Sequence, residues 1–295
     1  MLTVAGIPVT EHQLLMAKAA GITKIVLATS YLSDVFTPYF GDGSKWGMSI
    51  KYAVEKEPLG TGGAIANAAQ LLDSQESIVI LNGDVLSSHD LAEQIRQHEA
   101  NDADVTLHLT QVEDARAFGC VPTDAQGRVT AFLEKMENPV TNQINAGCYV
   151  FNPRVLTHIP LATVVSVERE TFPQLVDSGA KIYGYLENAY WLDIGTPKAL
   201  LKASTDIVLR NGPGLVMPDA VVDSSAVITE GSCIGRGSTV GAGTRISGSI
   251  IEAGAVIGRD VVIENSFVAT GAVIDDGAKI GSTFVTNGEI LPIPL

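Results

Sequence analysis

From residue 216 onward an aliphatic side chain recurs at every sixth position. Val216, Val222, Ile228, Ile234, Val240 and Ile246 keep the period; after one slip it resumes at Ile250, Val256, Val262, Val268, Ile274 and Ile280. A helix repeats every ~3.6 residues and a half-buried strand every ~2, so neither produces this spacing. A parallel β-helix does: each coil stacks its inward residue on that of the next. Three hexads per coil predict about four coils. Residues 213–295 are therefore expected to form a left-handed β-helix, with a loop or bulged corner at the slip and an open end that must be capped or paired.

Residues 1–212 have a different character. Strand and helix patterns alternate along them, which predicts an α/β, Rossmann-like domain with a mostly parallel sheet. The run Ile78-Val79-Ile80-Leu81 reads as a strand buried on both faces. It ends in Asn82-Gly83-Asp84, where an open α/β sheet places ligand groups; taken alone, Asp84 reads first as a helix or turn cap, and the rest of the chain shifts that reading. Gly60, Gly62 and Gly63 precede an Ala-rich helix. Such a turn offers N–H groups to an anion or a base edge, or is simply a flexible loop. Thr10 and Gln13 have capping-box spacing. Residues 118–123 and 129–134 have a hairpin pattern, and 168–178 are helical in outline despite Pro173.

A net charge of −14 excludes a nucleic-acid binder, which needs basic patches. Cys120, Cys148 and Cys233 are far apart and lack CxxC spacing. With no signal peptide and no bilayer-length apolar run, the expectation is a cytoplasmic protein with no membrane partner. The five histidines all lie at or before His158 without metal-ligand spacing, so they read as structural.

Six blocks carry a resemblance. They are Glu57-Pro58-Leu59-Gly60-Thr61-Gly62-Gly63, Asn82-Gly83-Asp84, Phe118-Gly119-Cys120-Val121, Phe132-Leu133-Glu134-Lys135, Asn145-Ala146-Gly147 and Trp191-Leu192-Asp193-Ile194-Gly195-Thr196-Pro197. In this order, and followed by hexapeptide repeats, the chain resembles the sugar-1-phosphate nucleotidyltransferases, most of all those that use mannose 1-phosphate and GTP. The resemblance implies in-line attack of a sugar phosphate on the α-phosphorus of GTP, or of another nucleoside triphosphate, with Mg²⁺ as cofactor. The repeats carry no catalytic group and leave an open end, so they are expected to serve assembly or docking against the front domain, and a homo-oligomer is expected.

By the same resemblance Asp84, Lys135 and Asp193 are catalytic, and Asp84 and Asp193 hold the metal. Gly60 and Thr61 contact the nucleotide. Lys135 reaches the sugar phosphate, Glu134 and Asn145 the sugar hydroxyls, and Gly119 and Gly147 leave room for the ring. Residue by residue there are plainer readings: a helix cap for Asp193, a solvated lysine for Lys135, an ion pair for Glu134, and turn geometry for Asn145 and the glycines. Cys120 reads as a packing residue. Met136 stands where the family often has Pro. The family's opening loop, GGxGTRL followed by Lys-Pro, has no counterpart here, because Met1-Leu2-Thr3-Val4-Ala5-Gly6 matches the residues just after it. That departure implies impaired synthesis by these 295 residues and a sugar side better kept than the nucleotide side. Other readings are a different nucleotide-sugar pyrophosphorylase (glucose 1-phosphate with UTP, dTTP or ATP) and a non-catalytic regulatory subunit. An acyltransferase is disfavoured because no His lies on the repeats.

Overall fold

The computed structural model describes residues 1, 3–29, 33–72, 75–286 and 289–293. It divides into two compact units, Gln13–Trp191, and Met1–His12 with Leu192–Leu295.

The Gln13–Trp191 unit is built around the strand Gln143–Phe151. This strand pairs antiparallel with Val105–Gln111 on one side and with Ile78–Leu81 on the other. Ile182–Leu186 adds parallel to Val105–Gln111. A separate parallel pair joins Lys24–Thr29 to Ser49–Val54. The core under the main sheet includes Leu107, Tyr149, Phe151 and Phe172, all fully buried. Phe172 meets Tyr149 edge-on at 5.1 Å between ring centroids, a favoured aromatic geometry. A second cluster gathers Leu14, Phe40, Trp46 and Ile50.

The Ile78–Leu81 run differs from its expectation. All four residues are only partly buried, and the neighbouring strand runs antiparallel. An apolar run encodes which faces are covered; it carries no signal for the direction of the strand on its hydrogen-bonding edge. Residues 168–178 also depart from a plain helix. Val167–Thr171 forms a π-turn, and the α-helix starts only at Phe172–Asp177. Phe172 N–H bonds to Val167 C=O, five residues back, and Pro173 stands in the first turn of the α-helix, where a missing N–H leaves no helical bond unmade.

In the other unit the repeats form a parallel β-helix with three sheet faces. Two faces have four strands each, in the orders 221–222, 239–240, 256–257, 273–274 and 227–229, 245–247, 262–264, 279–281. On the third face Ile290–Pro292 closes the stack by pairing antiparallel with Thr283–Val285. The slip lies at one corner of the coil. The first coil turns there through two left-handed residues, Glu230 (φ 53°) and Gly231 (φ 75°); later coils turn through one, Gly248, Asn265 or Ser282. A coil is thus 18 residues from Val221 to Thr239 but 17 from Thr239 to Val256.

The shorter corner corrects three inward positions. The six-residue period places Ile250, Val256 and Val262 inside, whereas Ile251, Ile257 and Ile263 stack on Ile234, Val240 and Ile246. Val256 is 45% exposed, and Ile250 is buried in register with Cys233 and Phe267. Just past the corner Ser232, Ser249 and Ser266 form a buried hydroxyl ladder. Ser249 Oγ donates to Ser247 C=O at 2.7 Å and accepts from Ser266 N–H at 3.0 Å.

Candidate functional site

In the Gln13–Trp191 unit the Asn82-Gly83-Asp84 turn is held from two directions. Asn82 N–H donates to Gly147 C=O at 2.8 Å. Gln13 Nε2 donates to the carbonyls of Asn82 (2.7 Å) and Val85 (2.9 Å). Gln13 therefore clamps this turn from the helix Val9–Ala19, a role that its capping-box spacing does not reveal. Asp84 is exposed at the tip. Gly147 sits in the bulge that interrupts Gln143–Phe151 between Asn145 and Tyr149, with φ 75°. A Cβ there would lie 3.1 Å from Asn82 Cβ, so both the backbone conformation and the close approach call for glycine.

The Gly-rich turn is occupied by chain. Gly62 N–H donates to Val165 C=O (2.8 Å), and Val165 N–H donates to Leu59 C=O (2.9 Å). A Cβ on Gly60 would sit 2.5 Å from Val165 O, and one on Gly63 would sit 2.4 Å from Thr163 O. These glycines let residues 163–165 cross the start of helix Gly60–Ala69. Thr61 extends the crossing: its Oγ1 accepts from Val167 N–H (2.9 Å) and donates to Glu168 Oε2 (2.6 Å).

Glu168 collects three donors. Besides Thr61 they are Ser166 Oγ at 3.0 Å and the buried Tyr149 hydroxyl at 3.4 Å. Asn145 Nδ2 donates to the Tyr149 oxygen (2.9 Å), and Asn145 Oδ1 accepts from Gly147 N–H (3.2 Å). One polar chain thus joins Thr61, Glu168, Tyr149, Asn145 and the Gly147 bulge.

Beside this chain lies a cavity of about 440 Å³ lined by Phe132, Glu134, Lys135, Glu168, Arg169 and Pro173. The pairing of Gly119–Cys120 with Leu133–Glu134 brings Glu134 over Gly119, where a Cβ would be 2.8 Å from Glu134 Oε2. Gly119 thus makes room for a carboxylate, where the resemblance implies room for a sugar ring. Burial pushes the Glu134 carboxyl upward; Lys135 opposes this, Glu168 adds to it, and Arg169 opposes it. Lys135 takes a left-handed φ of 50°, and its N–H donates to Phe118 C=O (3.1 Å). Cys120 is fully buried.

Of the residues expected from sequence, Glu134 and Lys135 share the cavity, while Asn145 and Thr61 reach it through Glu168. Glu168 and Arg169 are absent from the sequence-based set. Their only signal is the Ser166-Val167-Glu168-Arg169-Glu170 string, which reads as a solvated helix face.

Asp193 belongs to the other unit. Its Oδ1 accepts from Gly195 N–H at 2.8 Å. The cap of helix Pro197–Leu209 is Thr196, whose Oγ1 accepts from Ala199 N–H (3.2 Å), so Asp193 is not the helix cap. Among the described residues no group of three or more His, Cys, Asp or Glu could by itself hold a metal. Also among them, no helix is long and apolar enough to cross a membrane.

A family model described as "Nucleotidyl transferase" matches residues 1–209, and one described as "GMPPB C-terminal domain" matches 210–290. The chain is 47% identical over 262 residues to mannose-1-phosphate guanylyltransferase of Mycobacterium tuberculosis, covering 85% of this chain and 73% of that protein. It is 34% identical over 233 residues to the mannose-1-phosphate guanylyltransferase catalytic subunit beta of Danio rerio, covering 75% of this chain and 64% of that one. The crystal structure of HddC from Yersinia pseudotuberculosis complexed with GMP-PN superposes with a TM-score of 0.60 at 25% identity, covering 70% of this chain and 88% of that one. The match over residues 1–209 runs through every turn described above, from Gly60 to Asp193, and on that ground the chain belongs to the nucleotidyl transferase family.

Proposed function

We propose that the chain transfers a guanylyl group from GTP to mannose 1-phosphate, giving GDP-mannose and pyrophosphate. A phosphate oxygen of the sugar 1-phosphate forms the new bond to the α-phosphorus. The bond from that phosphorus to the bridging oxygen breaks, and pyrophosphate leaves with the electron pair. The observation that carries this reading is the cavity in which Lys135 stands among the carboxylates Glu134 and Glu168. A cation suits the phosphate and carboxylates suit hydroxyls, so the lining fits a sugar 1-phosphate better than a neutral sugar. The 47% identity to the mycobacterial guanylyltransferase supports the choice of mannose and guanosine.

In this reading Lys135 holds the phosphate, while Glu134 and Asn145 accept from sugar hydroxyls beside Gly119 and Gly147. Gly60 and Thr61 face the nucleoside. Asp84 and Asp193 are the metal carboxylates. Asp84 is exposed, and Asp193 has one oxygen engaged by Gly195. Two hard oxygen donors suit Mg²⁺, which typically binds through one or two carboxylates and completes its shell with water and substrate phosphates. Bound there, Mg²⁺ would neutralise charge on the triphosphate and the leaving pyrophosphate.

The test is pyrophosphate release from GTP and mannose 1-phosphate with Mg²⁺. It is run on this chain and on a version extended by the family's GGxGTRL strand and loop, with UTP and glucose 1-phosphate as the competing pair. Faster release with the mannose pair in the extended version supports the reading. Preference for the glucose pair, or no release from either version, overturns it. Replacing Asp84 or Asp193 by Asn is expected to lower the rate at saturating GTP and sugar phosphate.

Homo-oligomerisation and a cytoplasmic setting belong to the same reading. The free, buried thiols of Cys120, Cys148 and Cys233 fit a reducing compartment. A monomer mass in light scattering would remove the oligomer from it.

A further inference from the structure

We propose that Arg169 is the second cation of the sugar 1-phosphate clamp, acting with Lys135 on the phosphate. This rests on the reading of the cavity given above.

The cavity lining contains two cations and two carboxylates. The carboxylates have different surroundings. Glu168 is held by the hydroxyls of Thr61, Ser166 and Tyr149. Glu134 feels both cations, but forms no salt bridge with either among the described residues. The Arg169 backbone is tied down, its N–H donating to Ser166 Oγ at 3.2 Å. Arg169 lines the cavity and is itself exposed.

The π-turn Val167–Thr171 places Glu168 and Arg169, adjacent in sequence, on the same cavity, and Pro173 lines its wall. A dianionic phosphate offers more acceptor sites than one lysine fills. Lys135 supplies a compact point charge, and a guanidinium supplies a planar fork matched to two phosphate oxygens. With the phosphate between the cations, the sugar hydroxyls are left to Glu134 and Glu168.

The experiment is isothermal titration of α-mannose 1-phosphate into the chain and into Arg169→Met, Arg169→Lys and Lys135→Met variants, with steady-state KM for sugar phosphate and for GTP, and kcat, measured on the same proteins. A charge-assisted hydrogen bond typically contributes ~1.5–3 kcal/mol, so Arg169→Met is expected to weaken sugar phosphate binding roughly 10–100-fold. The KM for sugar phosphate should rise with that of GTP unchanged, and Arg169→Lys should recover part of the loss. A purely structural arginine would lower the melting temperature and move both KM values together. Binding by Arg169→Met equal to the parent, with Lys135→Met impaired, would overturn the clamp and leave the reading of the cavity standing. Failure of the parent to bind mannose 1-phosphate at all would overturn that reading itself.

Discussion

Thr61 Oγ1 donates a 2.6 Å hydrogen bond to Glu168 Oε2, joining residues 107 positions apart. The same oxygen accepts from Val167 N–H, so one hydroxyl ties the Gly-rich turn to the π-turn that forms the cavity wall.

Removing that hydroxyl tests the tie. Thr61→Val keeps the shape but leaves Val167 N–H and Glu168 short of a partner. The expected cost is about 1–3 kcal/mol in urea unfolding. A several-fold rise in KM for the sugar phosphate is expected with it, and Thr61→Ser should restore both. An unchanged KM in Thr61→Val would show that the turn and the cavity are independent.

The glycines of the site should respond unequally to alanine. At Gly60 the φ is 71° and a Cβ would meet Val165 O at 2.5 Å, whereas at Gly83 nothing lies within 4 Å. Gly60→Ala combines strain with a backbone clash and should cost more than ~1 kcal/mol of stability. Gly83→Ala should leave the melting temperature near that of the parent. Equal shifts for the two would contradict the crossing at residues 163–165.

In the repeats, Ser249→Ala removes a buried hydroxyl that accepts from Ser266 N–H. The unsatisfied donor should cost about 1–3 kcal/mol. Substituting Ser225, an exposed residue of the same unit, is the control and should cost less. Urea midpoints distinguish the two.

Acid should destabilise the Gln13–Trp191 unit through its buried histidines. Burial lowers His108 to about 3 and His98 to about 4, and the rings of His108 and His89 stack at 3.8 Å. Unfolded, each histidine titrates near 6.5. Between that value and the folded one the unfolded chain binds more protons, so stability falls as pH drops below 6.5 and is unaffected by these groups above it. The slope is at most ~1.4 kcal/mol per pH unit per histidine. His108→Phe should flatten the fall between pH 6 and 4 in denaturant titrations. A slope unchanged by that substitution would place the acid sensitivity elsewhere.

The two units differ in how much of them could be read in advance. The β-helix was legible because its period is local: every coil repeats the same demand for an aliphatic residue inside. The phase after the corner was not legible, because Ile250-Ile251 offers two equivalent aliphatics. Only the single left-handed turn at Gly248 decides that Ile251 faces inward.

In the other unit, the turns at Asn82-Gly83-Asp84 and Asn145-Ala146-Gly147 announce themselves by glycine and polar residues after apolar runs. Their meeting does not, since it depends on Gly147 C=O accepting from Asn82 N–H across a bulge. Glu168 and Arg169 lay furthest from view. In sequence they are charged residues in a helical stretch, and an amphipathic pattern places such residues in solvent. Thr61 anchors Glu168 and the π-turn carries Arg169 beside it, and together these make a cavity wall of them. Sequence fixes faces and turns through local sterics and burial. Which distant polar groups become neighbours is decided by long-range packing, where each pairing depends on all the others being made.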